Sequence, residues 1–276
     1  MFFEWVMWGG LGLIVGSFVN VLILREGKGS LLGRSACPAC GTTLQWFELV
    51  PVLSWALLRG RCRTCRARIS LQYPLVELLV AAGFIAVGLA PIPLFAQIIS
   101  AIIVALLVAI AVYDLYHTII PDRWSYSFGA IALLLAGIAT FNDFETFLWY
   151  FVAGPLVALP LFLFWLLSKG MWMGLGDAKL ALGIGWLLGI LDGYVALAFA
   201  FMIGAFVGVF ILIPLPHIVR MFRFTGITRV GETEGFTMKS EVPFGPFLIC
   251  SLCIVWFAQL YGYDVTALFL RSFSLV

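Results

Sequence analysis

The chain has 276 residues, 63% of them hydrophobic and only 11% charged, with a mean hydropathy of +1.10 and a formal net charge of +2. Soluble domains carry roughly 25% charged residues, so the composition excludes an ordinary soluble protein and specifies a polytopic membrane protein. The small total charge says little about partners; its distribution along the chain says more.

The N-terminal stretch MFFEWVMW carries an acid and no basic region. It reads as a retained first span over 3–24 and not as a cleaved signal peptide. A membrane crossing needs about 20 mainly apolar residues. On that rule further spans are expected over 75–90, 92–113, 124–141, 147–168, 178–191, 194–214 and 244–262, the second and sixth being short. Pro91 and Pro93 mark one turn and Gly193 another. The expected fold class is an all-α polytopic membrane protein of about eight transmembrane helices with a small cytoplasmic zinc-binding insert. Its parts are the first helix (1–24), a tetra-cysteine insert (25–72) and a transmembrane part (73–276) carrying a polar, irregular loop over 215–243.

With eight spans, all but Arg271 of the 16 lysines and arginines fall on one side. They include the arginines of the insert, Arg123, Lys169, Lys179 and Arg220, Arg223, Arg229 and Lys239. Glu4, Asp143, Glu145, Asp192 and Asp264 lie on the other side. The basic side is expected to face the cytoplasm, with both termini outward. The arginines read as topology signals, and no nucleic-acid motif is present. Lys179 is expected to snorkel to the lipid headgroups.

The insert contains Cys37-x-x-Cys40 and Cys62-x-x-Cys65. Each pair offers two thiolates at one corner, and four soft ligands suit tetrahedral zinc. The gap between the pairs slightly exceeds the usual spacing, which a loop absorbs. Unlinked thiols or two redox pairs are the competing reading. The segment between the pairs is strongly apolar, with Trp46, Phe47, Leu49, Leu53, Trp55 and Leu57, and is expected on the bilayer surface or under the bundle. Cys250 and Cys253 lie within the last span and read as small apolar residues.

Two aspartates stand out. The third span ends in VAIAVYDLYHTIIPD; counted from Ile92 its apolar helix covers about 33 Å at 1.5 Å per residue, which brings Asp114 to its cytoplasmic lip. Asp177 opens the sixth span in GLGDAKLALGIGWLLG. Both carboxylates are thus expected at one depth on one membrane face. Ionisable groups there are functional candidates, and two carboxylates sharing a proton can activate water and protonate a leaving amine. Gly174 and Gly176 allow backbone to approach closely. Capping a helix start is the alternative role for Asp177. Asp122 in IIPD suits capping of the fourth span, with a part in shaping or serving the site as the alternative. Glu77 in YPLVELL either pairs with an arginine or lines the site. His117 and His217 have no ligand pattern around them. The GIG at Gly183–Gly185 reads as close helix packing.

The motifs GSFVNVLILR, the paired cysteine knuckles, LRGRCRTC, ISLQYPLVELL, YDLYHTIIPD and GLGDAKLALGIGWLLG, with a weaker echo in VPFGPFL, occur in this order. Together they resemble the bacterial type IV prepilin peptidase/N-methyltransferase family of GxGD intramembrane aspartic proteases. The resemblance implies a catalytic pair of Asp114 and Asp177. It implies prepilins or pseudopilins with short basic leaders as substrates, cut at the cytoplasmic face of the bacterial inner membrane. It also implies methylation of the new N-terminus with S-adenosylmethionine, since all four cysteines are present as in the full-length type. Some members carry a second acid where this chain has Tyr116, while Asp122 stays in register. No glycine-rich nucleotide loop is found. The competing functions are an ion- or proton-coupled transporter and a non-catalytic zinc-bearing scaffold.

Overall fold

A computed structural model describes residues 2–27, 33–212, 243–267 and 269. Most of the 215–243 loop, with Arg220, Arg223, Arg229, Lys239 and His217, lies outside the described residues, as do Lys28 and Arg271. The described chain is helical throughout its membrane part. Helix α1 is Phe2–Arg25, α3 is Gln72–Gly88, α4 is Leu94–His117, α5 is Asp122–Ala139, α6 is Phe144–Ser168, α7 is Leu175–Leu188, α8 is Ile190–Val207 and α9 is Gly245–Leu260. A short α2, Leu53–Leu57, lies in the insert. Among the described residues, four segments are long and apolar enough to cross a membrane: Phe3–Arg25, Leu94–His117, Phe144–Ser168 and Ile190–Phe210. Gln72–Gly88 and Gly245–Leu260 are apolar but shorter.

The helix ends differ from expectation where side-chain pattern does not dictate them. α3 begins at Gln72, ahead of Pro74, because proline is tolerated in a first turn. The turn between α7 and α8 is at Gly189, whose φ is +84°, and not at Gly193. Gly193 lies inside α8, where a Cβ would come within 2.7 Å of Val157. α4 continues past Tyr113 and Asp114 to His117 and closes on Thr118 in the left-handed region, whose N–H donates to the Asp114 carbonyl. Asp114 is therefore inside the helix and not at its last residue.

Lipid removes most of the hydrophobic driving force between helices, leaving close packing and satisfied backbone as the main sources of cohesion. α1 meets α3 through Gly12 and Gly16. A Cβ at either would lie 2.6 Å from a Cα of α3, Ala81 or Glu77. α4 is central, with Ile103, Leu107 and Ile110 fully buried. Gly185 of α7 sits against the Ala153 carbonyl and Gly154 of α6.

α6 carries Pro155 and Pro160 in its interior. Each proline deprives the carbonyl four residues earlier of its helical donor. Those carbonyls belong to Phe151 and Leu156, and both are recovered from outside the helix. Trp186 Nε1 of α7 donates to the Phe151 carbonyl at 3.0 Å, and the Tyr194 hydroxyl of α8 donates to the Leu156 carbonyl at 2.8 Å. Trp186→Phe is expected to lower the midpoint of thermal unfolding in detergent by an amount equivalent to about 1 kcal/mol or more, and Tyr194→Phe by somewhat less. The difference arises because the Trp186 ring also fills the space over Gly129 and Gly154.

Candidate functional site

α1 ends, α3 starts, α4 ends, and α5 and α7 start at one end of the bundle. The insert joins α1 to α3 there. Two ion pairs cross this end. Arg123 of α5 meets Glu26 at 3.1 Å, and Lys179 of α7 meets Asp122 at 2.6 Å. The Lys179 ammonium, expected among the headgroups, holds Asp122 and lies 5.5 Å from the centre of the Tyr126 ring. Asp122 is the first residue of α5, after a Pro121 N-cap. Its carboxylate accepts from the Lys179 ammonium and so links α5 to α7.

Asp114 and Asp177 are both buried, at 4% and 7% exposure. Asp177 is in the first turn of α7, three residues after the N-cap Gly174. Its carboxylate accepts a hydrogen bond from the Gly174 backbone and lies within electrostatic reach of Asp114. Capping and proximity to Asp114 therefore coexist. Asp114 Oδ2 accepts the Gly245 N–H at 3.1 Å. Gly245 opens α9, so the donor is one of the N–H groups that a helix start leaves without an internal partner. Ile120 is wedged between these pieces: a Cβ on Gly176 would be 3.0 Å from its Cβ, and one on Gly245 would be 3.2 Å from its Cδ1. The two acids, Gly174, Gly176, Ile120 and Gly245 thus form one cluster joining α4, α7 and α9, buried except at the half-buried Gly176 and the exposed Gly174. Gly245 was missed as a site residue by sequence reading. The only signal was the Gly-Pro at the start of the last apolar run.

Glu77 belongs elsewhere. It is 6% exposed, and its Oε2 accepts the Val52 N–H at 2.7 Å. Ser17 bonds the same carboxyl. Among the described residues it has no arginine partner and does not join the Asp114 cluster; it links the insert to α1 and α3. Val52 has a φ of +59°, a costly conformation for a β-branched residue that this carboxyl helps to hold.

In the insert the sulfur atoms of Cys37, Cys40, Cys62 and Cys65 lie within 4.8 Å of one another, with Cys37 and Cys65 at 3.9 Å. Four thiolates at about 2.3 Å from a tetrahedral ion stand roughly 3.8 Å apart, so the quartet fits a metal with little adjustment. The two knuckles repeat one backbone design. Cys37 N–H bonds the Thr42 carbonyl and Cys62 N–H bonds the Ala67 carbonyl. The residue after the second cysteine has a positive φ in both, +71° at Gly41 and +60° at Arg66. Hydrogen bonds from the Thr42 hydroxyl and backbone bring the Cys40 thiol down to about 6. The Cys65 and Thr64 backbone lowers Cys62. These two shifts favour the thiolate that a metal needs, whereas, against the Ala67 backbone bond, burial and the neighbouring sulfurs raise Cys65 to about 11. Trp46, Leu53 and Leu57 are exposed on this piece.

Comparison with known proteins agrees with this architecture. The Bacterial Peptidase A24 N-terminal domain profile matches residues 11–90, and that of the Type IV leader peptidase family matches residues 101–209. The prepilin leader peptidase/N-methyltransferase of Aeromonas hydrophila is 30% identical over 291 residues, covering 95% of this chain and 92% of the relative. That of Myxococcus xanthus is 35% identical over 245 residues, covering 84% and 70%. The enzyme of the same name from Burkholderia pseudomallei strain K96243 is 33% identical over 275 residues, covering 86% and 80%. No solved structure matches the chain. A helical multi-pass membrane chain with a four-cysteine cluster, matched over nearly its whole length by these relatives, belongs to the prepilin leader peptidase/N-methyltransferase family.

Proposed function

We propose that the chain removes the basic leader of type IV prepilins or pseudopilins with Asp114 and Asp177 as an aspartyl dyad, and then methylates the new N-terminal amine. The observation that carries the reading is the burial of two carboxyl groups, 63 positions apart in the sequence, within electrostatic reach of one another at the ends of α4 and α7. Burying one acid without a partner is costly, and burying two side by side is more so. Holding a shared proton is the arrangement's natural chemistry.

In the proposed reaction one carboxylate takes a proton from water as the water oxygen attacks the scissile carbonyl carbon. The other, protonated, gives its proton to the leaving nitrogen as the C–N bond breaks. The pair ends as it began, with one proton between them. Gly245 N–H fixes Asp114 Oδ2 for this work. Gly174, exposed beside Asp177, leaves room for an extended substrate strand, while Gly176 lets Ile120 pack closely against α7. The positive-inside pattern supports a site on the cytoplasmic face of the bacterial inner membrane. Within this reading residues 25–72 are the metal-bearing insert and 73–276 the peptidase part. The test is direct: the purified full chain in detergent, given a prepilin, should release the leader without added cofactor. An intact prepilin after prolonged incubation overturns the reading.

Zinc is the proposed metal, because four thiolates in a tetrahedron select a soft, tetrahedral ion. It would crosslink the two knuckles and stabilise an insert that has few buried apolar residues of its own. The purified chain is expected to contain about one zinc. Cys37→Ser/Cys62→Ser should lose it, and protease should then cut within 33–71 first. The relatives' names support methyl transfer, with S-adenosylmethionine as the proposed methyl donor.

A further inference from the structure

Residues 33–71 carry six arginines, Arg34, Arg59, Arg61, Arg63, Arg66 and Arg68, and one acid, Glu48. All six arginines are exposed, and none forms an ion pair among the described residues. Glu48 is engaged within the insert, where its carboxylate accepts the Gln45 N–H at 2.8 Å. A zinc tetrathiolate would add two negative charges, which still leaves the insert at about +3.

Several of these charges are kept at a cost. Arg59 and Arg66 have φ of +52° and +60°, a region that favours glycine, and the first knuckle has Gly41 where the second has Arg66. Arg61 and Arg68 sit opposite one another in an antiparallel bridge, which sets two like charges side by side. The matching pair in the first knuckle, Ala36 and Thr43, is neutral. The stability of the insert does not call for this pattern, and an anionic surface does.

The apolar part of the insert is equally uncovered. Trp46 is 78% and Leu57 74% exposed, and Phe47, Leu49 and Leu53 are exposed with them. Arg63 lies over the Phe47 ring at 5.2 Å, so the charged and apolar surfaces adjoin. Their depth is set by the Val52 N–H bond to Glu77. Glu77 is in the second turn of α3, roughly 7 Å from its start at 1.5 Å per residue. The uncovered side of α3 is apolar from its N-cap onward, with Leu71, Leu75, Leu78 and Leu79 exposed. Trp46–Leu57 is therefore held at a level where α3 already faces lipid. Tryptophan and arginine are both favoured at that depth, the ring among the headgroups and the guanidinium reaching phosphate.

We propose that the insert docks on the leaflet at its own end of the bundle, with Trp46, Phe47, Leu49, Leu53 and Leu57 entering the lipid and Arg59, Arg61 and Arg66 binding the phosphates of anionic phospholipids. The insert is tethered at both ends to helices that enter this leaflet, α1 and α3, so the lipid surface is the one partner always within reach. The arginines supply the preference for anionic lipid, and the apolar side chains supply the attachment.

The full chain should be placed in nanodiscs of phosphatidylcholine with a minority of phosphatidylglycerol, one or the other lipid carrying brominated acyl chains. The difference in emission between the parent and Trp46→Phe isolates Trp46 from the other nine tryptophans. Both brominated lipids are expected to quench this difference signal, and phosphatidylglycerol roughly fivefold more per bromine. Arg59→Gln/Arg61→Gln/Arg66→Gln should abolish the preference and leave Trp46 quenched. High salt should weaken the preference in the parent without any substitution, so the result does not depend on how the variant folds. A Trp46 signal that neither brominated lipid quenches overturns the docking; shielding of Trp46 by added prepilin or by a second copy of the chain would then assign the face to a protein partner. Equal quenching by the two lipids, unmoved by salt or by the triple substitution, overturns the role given to the arginines.

Discussion

Asp114→Asn and Asp177→Asn are each expected to lower leader removal about a thousandfold, the scale of a lost general acid or base. Thermal unfolding in detergent should stay within about 4 °C of the parent. The substitution is chosen for its geometry. Asparagine keeps the shape of aspartate, and its amide oxygen still accepts from Gly245 N–H, so α9 stays docked on α4. Only the capacity to take and give a proton is lost. If the two groups act as one unit, the double variant should be scarcely slower than either single one. The competing functions predict otherwise. A non-catalytic scaffold has no leader removal to lose. An ion pathway predicts altered transport with no effect on a prepilin. Near-normal cleavage by either single variant rules out the dyad.

How much of this was legible in the sequence depends on how local each signal is. The cysteine quartet was legible because each knuckle is a four-residue motif, and the structure draws all four sulfurs together. Eight apolar runs correspond to eight helices among the described residues because a membrane helix is a composition signal. The approach of Asp114 to Asp177 followed from span parity and helix length, and the structure brings them within electrostatic reach. The departures are all tertiary. Lys179 looked like a headgroup anchor, since nothing near it in sequence shows that Asp122 is 2.6 Å away. Glu77 looked like a site residue, and its partner is a loop N–H 25 positions earlier. Gly193 and Gly189 were equally good turn signals, and only the packing of Gly193 on Val157 decides between them. The donors that complete the broken ladder of α6 come from Trp186 and Tyr194, and a proline's orphaned carbonyl leaves no trace in the pattern of apolar residues.

Gly245→Ala is expected to slow leader removal by about a hundredfold while leaving the metal content unchanged. The argument is steric. A Cβ at 245 would sit 2.6 Å from Asp114 Oδ2 and 3.2 Å from Ile120 Cδ1, closer than atoms of these types approach without a shift. The φ of a helix's first residue is no obstacle to alanine, so the whole cost falls on the neighbours. Asp114 is buried on α4 and Ile120 is wedged against Gly176, so neither can withdraw freely. Either the carboxylate turns away or α9 backs off, and both break the Gly245 N–H bond that orients Oδ2. Displacing a reacting group by about 1 Å costs a rate factor near 10². The partial effect is the discriminating feature. Removing the carboxylate abolishes proton transfer, whereas misplacing it weakens every step and keeps the chemistry. Residual cleavage by Gly245→Ala should therefore keep the parent's dependence on Asp177, with Gly245→Ala/Asp177→Asn falling to the level of Asp177→Asn alone. A Gly245→Ala chain with full activity would mean that Asp114 needs no donor from α9 and that this contact only packs the bundle.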